Sequence, residues 1–168
     1  MTSDTKPAAT LAAKPASESA TEMVQVVLPN DANPLGFILG GTVMHLIDMA
    51  GAISCLRHTR TRVVTAAVDD LQFINPIKIG DLIILNARVT CTFKTSLEVQ
   101  VDVFSEETLT GRRQLTSRAF LTFVAIGSDG APTPVPPLRT ETEEERRVCE
   151  EARGRRAARL AKRTSAAK

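Results

Sequence analysis

The chain has none of the features that mark a membrane-spanning protein, a general nucleic-acid binder or a cysteine metal site. No apolar run reaches the length of a membrane span. With 21 Lys and Arg against 19 Asp and Glu, the net charge of +2 is too small for general nucleic-acid binding. The three cysteines lack the spacing of metal ligands. We therefore expect no membrane span, no nucleic-acid partner and no metal site.

Two further features bear on where the protein resides. Residues 1–21 contain no Arg and no apolar segment of the kind that a secretory signal needs, and their Ala-, Ser- and Pro-rich composition predicts a disordered tail. Cys55 and Cys91 lie in apolar stretches and are predicted to be small core residues. Because Cys149 leaves the total odd, the pattern fits a reducing compartment, and we expect a cytoplasmic protein.

The chain does have the composition of one globular domain. Its 168 residues, 24% of them charged, are enough for one domain with tails and short for two. We place that domain at residues 22–138, because the prolines at 132–137 end the last predicted strand. Residues 139–168 hold ten Lys and Arg against six Glu, and Thr140–Glu143 reads as a capping box that starts a C-terminal charged helix. We favour a solvated helix with a frayed basic end over a phosphate-binding or membrane-surface arm.

The most informative segment is a helix that is apolar on every side. It runs from Thr42 to Leu56 with His45 and Asp48 as the exceptions, so we expect it to be buried all round. A carboxylate in such a helix is costly to desolvate unless it is paired, hydrogen-bonded or shifted in pKa. Asp48 is therefore either a satisfied structural group or a working one.

A glycine pair, Gly40 and Gly41, opens the same helix. Helix N-termini carry free backbone N–H groups that bind anions, and glycine leaves those donors uncovered. Such a pair can equally be a plain turn. However, Gly41 and Asp48 lie seven residues apart, close to two helical turns, and so share a face. A donor and an acid on one face favour a functional site.

Alternation with a period of two predicts strands at 23–28, 62–70, 81–93, 97–103 and 114–126. Within the second of these, we expect residues 64, 66 and 68 on one face and residues 63, 65 and 67 on the other. The resulting order, β-α-β-β-β-β, predicts an α+β fold. In it, an antiparallel sheet of about five strands covers the apolar helix.

Seven motifs together resemble those of a known family. They are Asn33-x-x-Gly36-x-x-x-Gly40-Gly41, Leu46-Ile47-Asp48-Met49-Ala50-Gly51, Arg57-His58, Val63-Val64-Thr65-Ala66-Ala67-Val68-Asp69, Phe73-Ile74-Asn75-Pro76-Ile77-Lys78-Ile79-Gly80-Asp81, Thr92-Phe93-Lys94-Thr95-Ser96-Leu97-Glu98-Val99 and Leu109-Thr110-Gly111-Arg112-Arg113. In this order they resemble hotdog-fold acyl-CoA thioesterases, in the branch of bacterial short acyl-CoA thioesterases and mammalian cytosolic acyl-CoA hydrolases. The likeness covers about residues 22–150. It implies the hotdog fold, a sheet wrapped around a central helix, and hydrolysis of fatty acyl-CoA to free fatty acid and coenzyme A.

The resemblance also implies roles for three residues. The backbone N–H near Gly41 matches a donor to the carbonyl oxygen as that oxygen gains charge. Asp48 matches the carboxylate that deprotonates water or attacks directly, and Asn33 matches an amide that pairs with this acid. His45 is not part of the pattern and is interpreted as a hydrogen-bonding or packing residue. No metal and no cofactor are expected, since coenzyme A enters only as part of the substrate and product.

Coenzyme A carries phosphates, so we expect a cationic mouth to the site. The candidate contacts, most of which could equally be solvated surface groups, are Arg57, Arg62, Lys94, Thr95, Ser96, Arg112, Arg113 and Arg118. Two other functions stay open. One is a hotdog acyl dehydratase, although no His of the kind that such a site uses precedes the helix. The other is a non-catalytic acyl-CoA-binding or regulatory module.

A single small hotdog unit leaves one sheet edge open, so we expect the chain to associate with itself. The resemblance implies homodimers that assemble further into a trimer of dimers, a hexamer. It also implies that each site takes Asn33 from one subunit and Asp48 from its neighbour.

Overall fold

Seven strands and two α-helices form between residues 11 and 166, the part of the chain that this computed structural model describes. The strands are β1 (Lys14–Pro15), β2 (Thr21–Val26), β3 (Arg62–Phe73), β4 (Leu82–Thr92), β5 (Ser96–Glu106), β6 (Arg113–Ile126) and β7 (Leu138–Arg139), and the helices are α1 (Gly40–Thr59) and α2 (Glu143–Ala166). Five strands make one antiparallel sheet in the order β2-β4-β5-β6-β3, while β1 and β7 form a separate parallel pair.

The predicted α+β fold and its β-α-β-β-β-β order are confirmed, with α1 packed on the inner face of the sheet. Each of the five predicted strands is present, and no end differs from the prediction by more than three residues. The pair β1 and β7 was not predicted, because two residues are too few to show a period.

The core lies between α1 and the inner face of the sheet. Leu46, Ile47 and Ala50 are almost completely buried there. A Cβ added at Gly51 would lie 3.0 Å from a ring carbon of Phe123. Glycine therefore lets the helix approach the centre of the sheet closely.

Part of α1 remains uncovered, so the expectation of burial on every side is wrong for a single chain. Met44, Met49 and Leu56 are 45%, 36% and 42% exposed. The five strands and the segment Ala16–Ser19 cover part of the helix and leave these three side chains exposed among the described residues. This apolar stripe is available to a second molecule.

The edge strand β3 departs from simple alternation. Its pairing with β6 shifts between Thr65 and Ala67 and again between Val68 and Asp70, as at β-bulges. The expected division of 62–70 into odd and even faces is therefore wrong beyond Thr65. Thr65 and Val68 lie opposite Phe123 and Leu121, whose side chains are in the core.

Helix α2 lies on the outer face of the sheet and is held by charged groups. Arg155 donates to both carboxylate oxygens of Glu98, at 2.9 and 2.8 Å, and the Glu98 side chain is only 2% exposed. Arg159 pairs with Asp69, whose side chain is 5% exposed. The interpretation of residues 139–168 as a purely solvated helix is therefore wrong for this face, because Val148 and Ala152 are too few to make a hydrophobic stripe in the sequence and the ion pairs join residues far apart in the chain.

The start of α2 and the cysteines also differ from expectation. The capping box is formed by Thr142 and Glu145, since the N–H of Glu145 donates to Thr142 Oγ1 and Glu145 accepts in return. Cys55 is a buried free thiol whose pKa is raised by burial, as expected of a core residue. Cys91 is buried but joined to Cys149 in a disulfide. The cysteine argument for a reducing compartment therefore loses its support.

The segment just before β2 is ordered, although the sequence placed it in a disordered tail. Ser19 is fully buried, and its hydroxyl accepts the N–H of Val89 at 2.9 Å. Lys14 donates to the carbonyl oxygen of His58 at 2.9 Å. The rest of the expected tail, residues 1–10, lies outside the described residues. Of the two helices described, neither is long and apolar enough to cross a membrane.

Candidate active site

The N-terminus of α1 is an open set of hydrogen-bond donors. Leu39 occupies the N-cap position and has no side-chain group that could cap the helix. Val43 donates its N–H back to Leu39 at 3.1 Å, whereas the N–H groups of Gly40, Gly41 and Thr42 have no backbone partner among the described residues. Nothing lies within 4 Å of the position that a Cβ of Gly41 would take. The donors and the positive end of the helix dipole are therefore accessible to an anion.

Asn33 is held beside this helix end by a tight loop. Its side-chain oxygen accepts the N–H groups of Leu35 and Phe37, at 3.0 and 3.2 Å. Gly36 supplies the left-handed conformation that the turn requires, with φ of +81°. Because the carboxamide oxygen is occupied by the loop, the NH₂ group of Asn33 is the part that is free to meet a ligand.

Asn33 and Gly40 line one cavity of about 330 Å³. Its other walls come from the loop after Asn33 and from the end of β3, with Phe37 and Phe73 as the aromatic members. The ring of Phe73 would lie 3.5 Å from a Cβ added at Gly40. This cavity therefore combines polar donors with an apolar wall.

Asp48 lies in a second cavity, of about 280 Å³, near the middle of α1. The cavity is otherwise mostly apolar, and its lining is Met44, His45, Ile47, Asp48, Val68, Leu71 and Leu121. Asp48 is half-buried, and its Oδ1 accepts the hydroxyl of Thr65 at 2.5 Å. Its Oδ2 has no hydrogen-bond partner between residues 11 and 166. One carboxylate oxygen is thus held and the other is available.

Thr65 is a site residue that the sequence alone did not single out. It lies on β3 just before the first bulge, in an inward position opposite Phe123. A threonine in a predicted strand is unremarkable, and only the packing of β3 against α1 brings its hydroxyl to Asp48. The sequence offered one weak signal, a polar residue in an inward-facing row.

The two cavities share no lining residue. Within one chain, therefore, Asn33 and the helix N-terminus line one cavity, and Asp48, which is hydrogen-bonded to Thr65, lines the other. His45 is exposed and lines the second cavity beside Asp48. No group of three or more His, Cys, Asp or Glu side chains in the described part of the chain could hold a metal ion.

The candidate phosphate contacts are spread over the sheet and do not form one patch. Four of them already have partners, and in three of these Arg57 donates to Thr21 Oγ1, Arg113 pairs with Glu106, and Arg118 pairs with Asp102. Arg112 lies 3.8 Å from Glu107. Hydrogen bonding to Asp102 raises the pKa of Arg118, which keeps that pair charged.

The remaining candidates lie near the C-terminal end of α1. Arg62 begins β3 and lies opposite Ile126 on β6. Lys94 and Thr95 lie in the turn between β4 and β5, and Ser96, the first residue of β5, lies opposite Val124 on β6. Arg62 and Lys94 have no salt-bridge partner in the part of the chain that the structure describes. They are the cations most available to a bound phosphate.

Known proteins resemble this chain in both sequence and structure. Residues 35–111 match the family profile described as the thioesterase superfamily. A Bacillus subtilis protein named as an uncharacterized acyl-CoA thioester hydrolase is 42% identical over 128 residues, which are 76% of this chain and 74% of that protein. The chain spans only 37% of the mammalian cytosolic relatives that it also matches.

Two solved structures show the same fold. A hexameric acyl-CoA thioesterase, solved without ligand, has a TM-score of 0.86 and 41% identity, covering 90% of this chain and 97% of its own. The acyl-CoA hydrolase from Staphylococcus aureus, solved with butyryl coenzyme A and coenzyme A, has a TM-score of 0.84 and 33% identity, covering 91% and 93%. Further structures of this enzyme carry Ala in place of an Asn, an Asp and a Thr, spaced 15 and 17 positions apart in its chain.

Proposed function

The chain belongs to the thioesterase superfamily, as an acyl-CoA thioester hydrolase, and we propose that each active site is shared between two copies of it. The observation that carries this proposal is the separation of the two cavities. One is lined by Asn33 and by Gly40, the residue next to Gly41 at the open N-terminus of α1, and the other is lined by the acid, Asp48. The apolar stripe of α1, with Met44 and Met49, is the surface through which a second copy would bring its donors to this acid.

Hydrolysis in such a site needs three groups. The N–H of Gly41 donates to the thioester oxygen as that oxygen gains negative charge. Asp48 either takes a proton from a water molecule that attacks the carbonyl carbon, or attacks this carbon itself. The NH₂ group of Asn33 orients the water or the substrate. If water attacks, the carbon–sulfur bond breaks as the tetrahedral intermediate collapses, and the thiolate leaves as coenzyme A with the proton that Asp48 took from the water, which frees the fatty acid. If Asp48 attacks, breakage of this bond leaves the acyl group on Asp48 as a mixed anhydride, and water then hydrolyses the anhydride to the fatty acid and returns a proton to the coenzyme A thiolate. We expect no cofactor on either route.

Thr65 is a positioning residue in this proposal. Its hydroxyl binds Oδ1 of Asp48 at 2.5 Å, which leaves Oδ2 directed at the reaction. The spacing of Asn33, Asp48 and Thr65 is 15 and 17 residues. It equals the spacing of the Asn, Asp and Thr residues that were replaced in the S. aureus enzyme, which supports a common site.

We assign Arg62 and Lys94 to the coenzyme A phosphates, because these two cations have no carboxylate partner in the described structure. The other candidates, Arg57, Arg113 and Arg118, are held within the chain and serve the fold first. By analogy with the hexameric relative, the chain forms dimers that assemble into a trimer of dimers. A cytoplasmic location stays a prediction.

The test of the shared site is complementation between two inactive variants. Asn33→Ala and Asp48→Ala chains are purified separately and also co-expressed with different tags, and thiol release from acyl-CoA substrates of several chain lengths is measured. Each pure variant should be severely impaired. The mixed dimer should regain activity at one of its two sites, because that site draws Asn33 from the Asp48→Ala chain and Asp48 from the Asn33→Ala chain.

Mixed dimers that remain as inactive as the parents would place both groups in one chain and overturn the shared site. A wild-type protein that binds coenzyme A but releases no thiol from any acyl-CoA would instead indicate the acyl-CoA-binding module. Release of an unsaturated acyl-CoA from a hydroxyacyl-CoA would indicate the dehydratase.

A further inference from the structure

Helix α2 crosses the outer face of the sheet from β4 to the edge strand β3. Cys149 is joined to Cys91 on β4, and ten residues later Arg159 pairs with Asp69 on β3. Ten helical residues rise about 15 Å at ~1.5 Å per residue. The three strand spacings from β4 to β3 amount to about 14 Å at ~4.8 Å each. The helix therefore reaches the edge of its own sheet at Arg159.

The helix does not end there. It continues to Ala166, and seven further residues add about 10 Å at ~1.5 Å per residue. That length equals roughly two strand spacings. Residues 160–165 are exposed, with Leu160 at 39%, and none of them forms a salt bridge within the described residues. The last turns therefore project past the sheet and stay exposed against the rest of residues 11–166.

The face of α2 that contacts the sheet continues into this projection. Val148 and Ala152 are buried, Arg155 and Arg159 pair with carboxylates of the sheet, and these positions follow one another at intervals of four, three and four residues. Arg163 comes four residues after Arg159 and so lies on the same face. If another strand were added beside β3, Arg163 would therefore lie over that strand.

The edge that α2 overhangs is suited to such an extension. β3 has twelve residues and lacks a neighbour on its outer side within the described chain. On the outer face it exposes Val64, at 51%, and such an edge invites pairing with another strand. The exposed carboxylate of Asp70 also lies on β3, with Gln72 as its hydrogen-bond partner. A second copy joined at this edge would place apolar and acidic side chains opposite residues 160–166, which include Lys162 and Arg163.

We propose that residues 160–166 form a strap that crosses the seam between two copies of the chain and packs on the outer face of the second copy's sheet. The strap rests on the two-chain assembly proposed above but adds a contact that the active site does not need. Because each copy would carry one, two straps clamp the seam from outside while the α1 stripes meet on the other side.

The test uses a photo-crosslinking amino acid placed at one position of the full-length chain. At Arg163, on the sheet-facing side of the strap, irradiation should give a covalent dimer on denaturing gels. At Ala161, which is close to the opposite side of the same turn, the yield should be several-fold lower. In a second measurement, a chain that lacks residues 160–168 should exchange subunits several-fold faster than the intact chain while keeping its thiol-release activity per assembled site.

The outcomes separate the strap from the active site. Equal dimer yields at the two positions, or an exchange rate unchanged by the deletion, would overturn the strap while leaving the complementation result intact. Failure of both complementation and crosslinking would overturn the two-chain assembly as well. If residues 160–168 instead carry the protein onto vesicles of anionic lipid and Arg163 gives no dimer, the projection is a membrane-surface arm and the strap is wrong.

Discussion

The two faces of the sheet hold their helices by different physical means. On the inner face α1 is packed by apolar contacts and leaves an acid, Asp48, and an apolar stripe uncovered. On the outer face α2 is docked through Glu98 and Asp69, and both carboxylates are satisfied within the chain. A buried charge that is fully paired indicates structure, whereas an acid with one unpartnered oxygen in an apolar cavity indicates chemistry.

The sharpest test of this contrast is Asp48→Asn, which should reduce kcat by a factor of about 10²–10⁴, the range for removing a general base. Stability should hardly change, because Thr65 can also donate to an amide oxygen. Thiol release and thermal unfolding are measured together. Asp70→Asn, an exposed carboxylate on β3, is the control and should retain activity. An Asp48→Asn enzyme with near-normal kcat would remove Asp48 from the mechanism.

The opposite result is expected on the outer face. Glu98→Ala should lower the free energy of unfolding by about 3–5 kcal/mol, because it strands the half-buried Arg155. The activity of the protein that stays folded should be nearly unchanged. Chemical denaturation provides the measurement, with Glu144→Ala as the control, since the Glu144–Arg147 pair is on the surface and matters little. Equal effects of the two substitutions would mean that α2 isn't held by its buried charges.

A smaller effect is expected from the residue that holds the acid. Thr65→Val keeps the shape of the side chain but loses the hydrogen bond to Asp48, so kcat should fall by roughly tenfold to a hundredfold, as for a bond to a charged group worth about 1.5–3 kcal/mol. Thr65→Ser should restore most of the rate. If Thr65→Ser is as slow as Thr65→Val, the methyl group and not the hydroxyl is what the site requires.

The smallest effect concerns His58, a buried residue in the last turn of α1. Burial lowers its pKa, as does the nearby Lys14, while the bond from its Nε2 to the carbonyl of Pro136 and the charge of Glu18 act in the opposite direction. The folded pKa is therefore below the unfolded one. Protons bind preferentially to the unfolded chain, so this contribution to stability is fully present above the unfolded pKa of His58 and is lost as pH falls below it and through the folded pKa.

The loss should amount to about 1.4 kcal/mol for each unit by which folding lowers the pKa of His58. Melting temperatures measured between about pH 7 and pH 5 should show it. The pH dependence should shrink in His58→Gln and persist in His45→Gln, whose imidazole is exposed. A pH dependence that persists in His58→Gln and shrinks in His45→Gln would show that His45 causes the effect, and the prediction for His58 would be wrong.

Local sequence was sufficient wherever a feature repeats within a few residues. Periods of 3.6 and 2 predict the α1 helix and the five strands of the main sheet. The helical period also places Asp48 on the same face of α1 as Gly41. Tertiary packing decided the rest. The bulges of β3 that bring Thr65 to Asp48 depend on how β3 pairs with β6, and α2 docks through Arg155 and Arg159, whose carboxylate partners are distant in the chain.

The sequence by itself determined the sheet-and-helix plan and which acid is available, because hydrophobic periodicity is a local property that any stretch of chain displays. Only the tertiary structure decided that Ser19 is buried against β4, that Cys91 meets Cys149, and that Asn33 and Asp48 lie in separate cavities. Each of these depends on residues that are distant in the chain. Their meeting is set by strand register and helix docking, for which no local pattern exists.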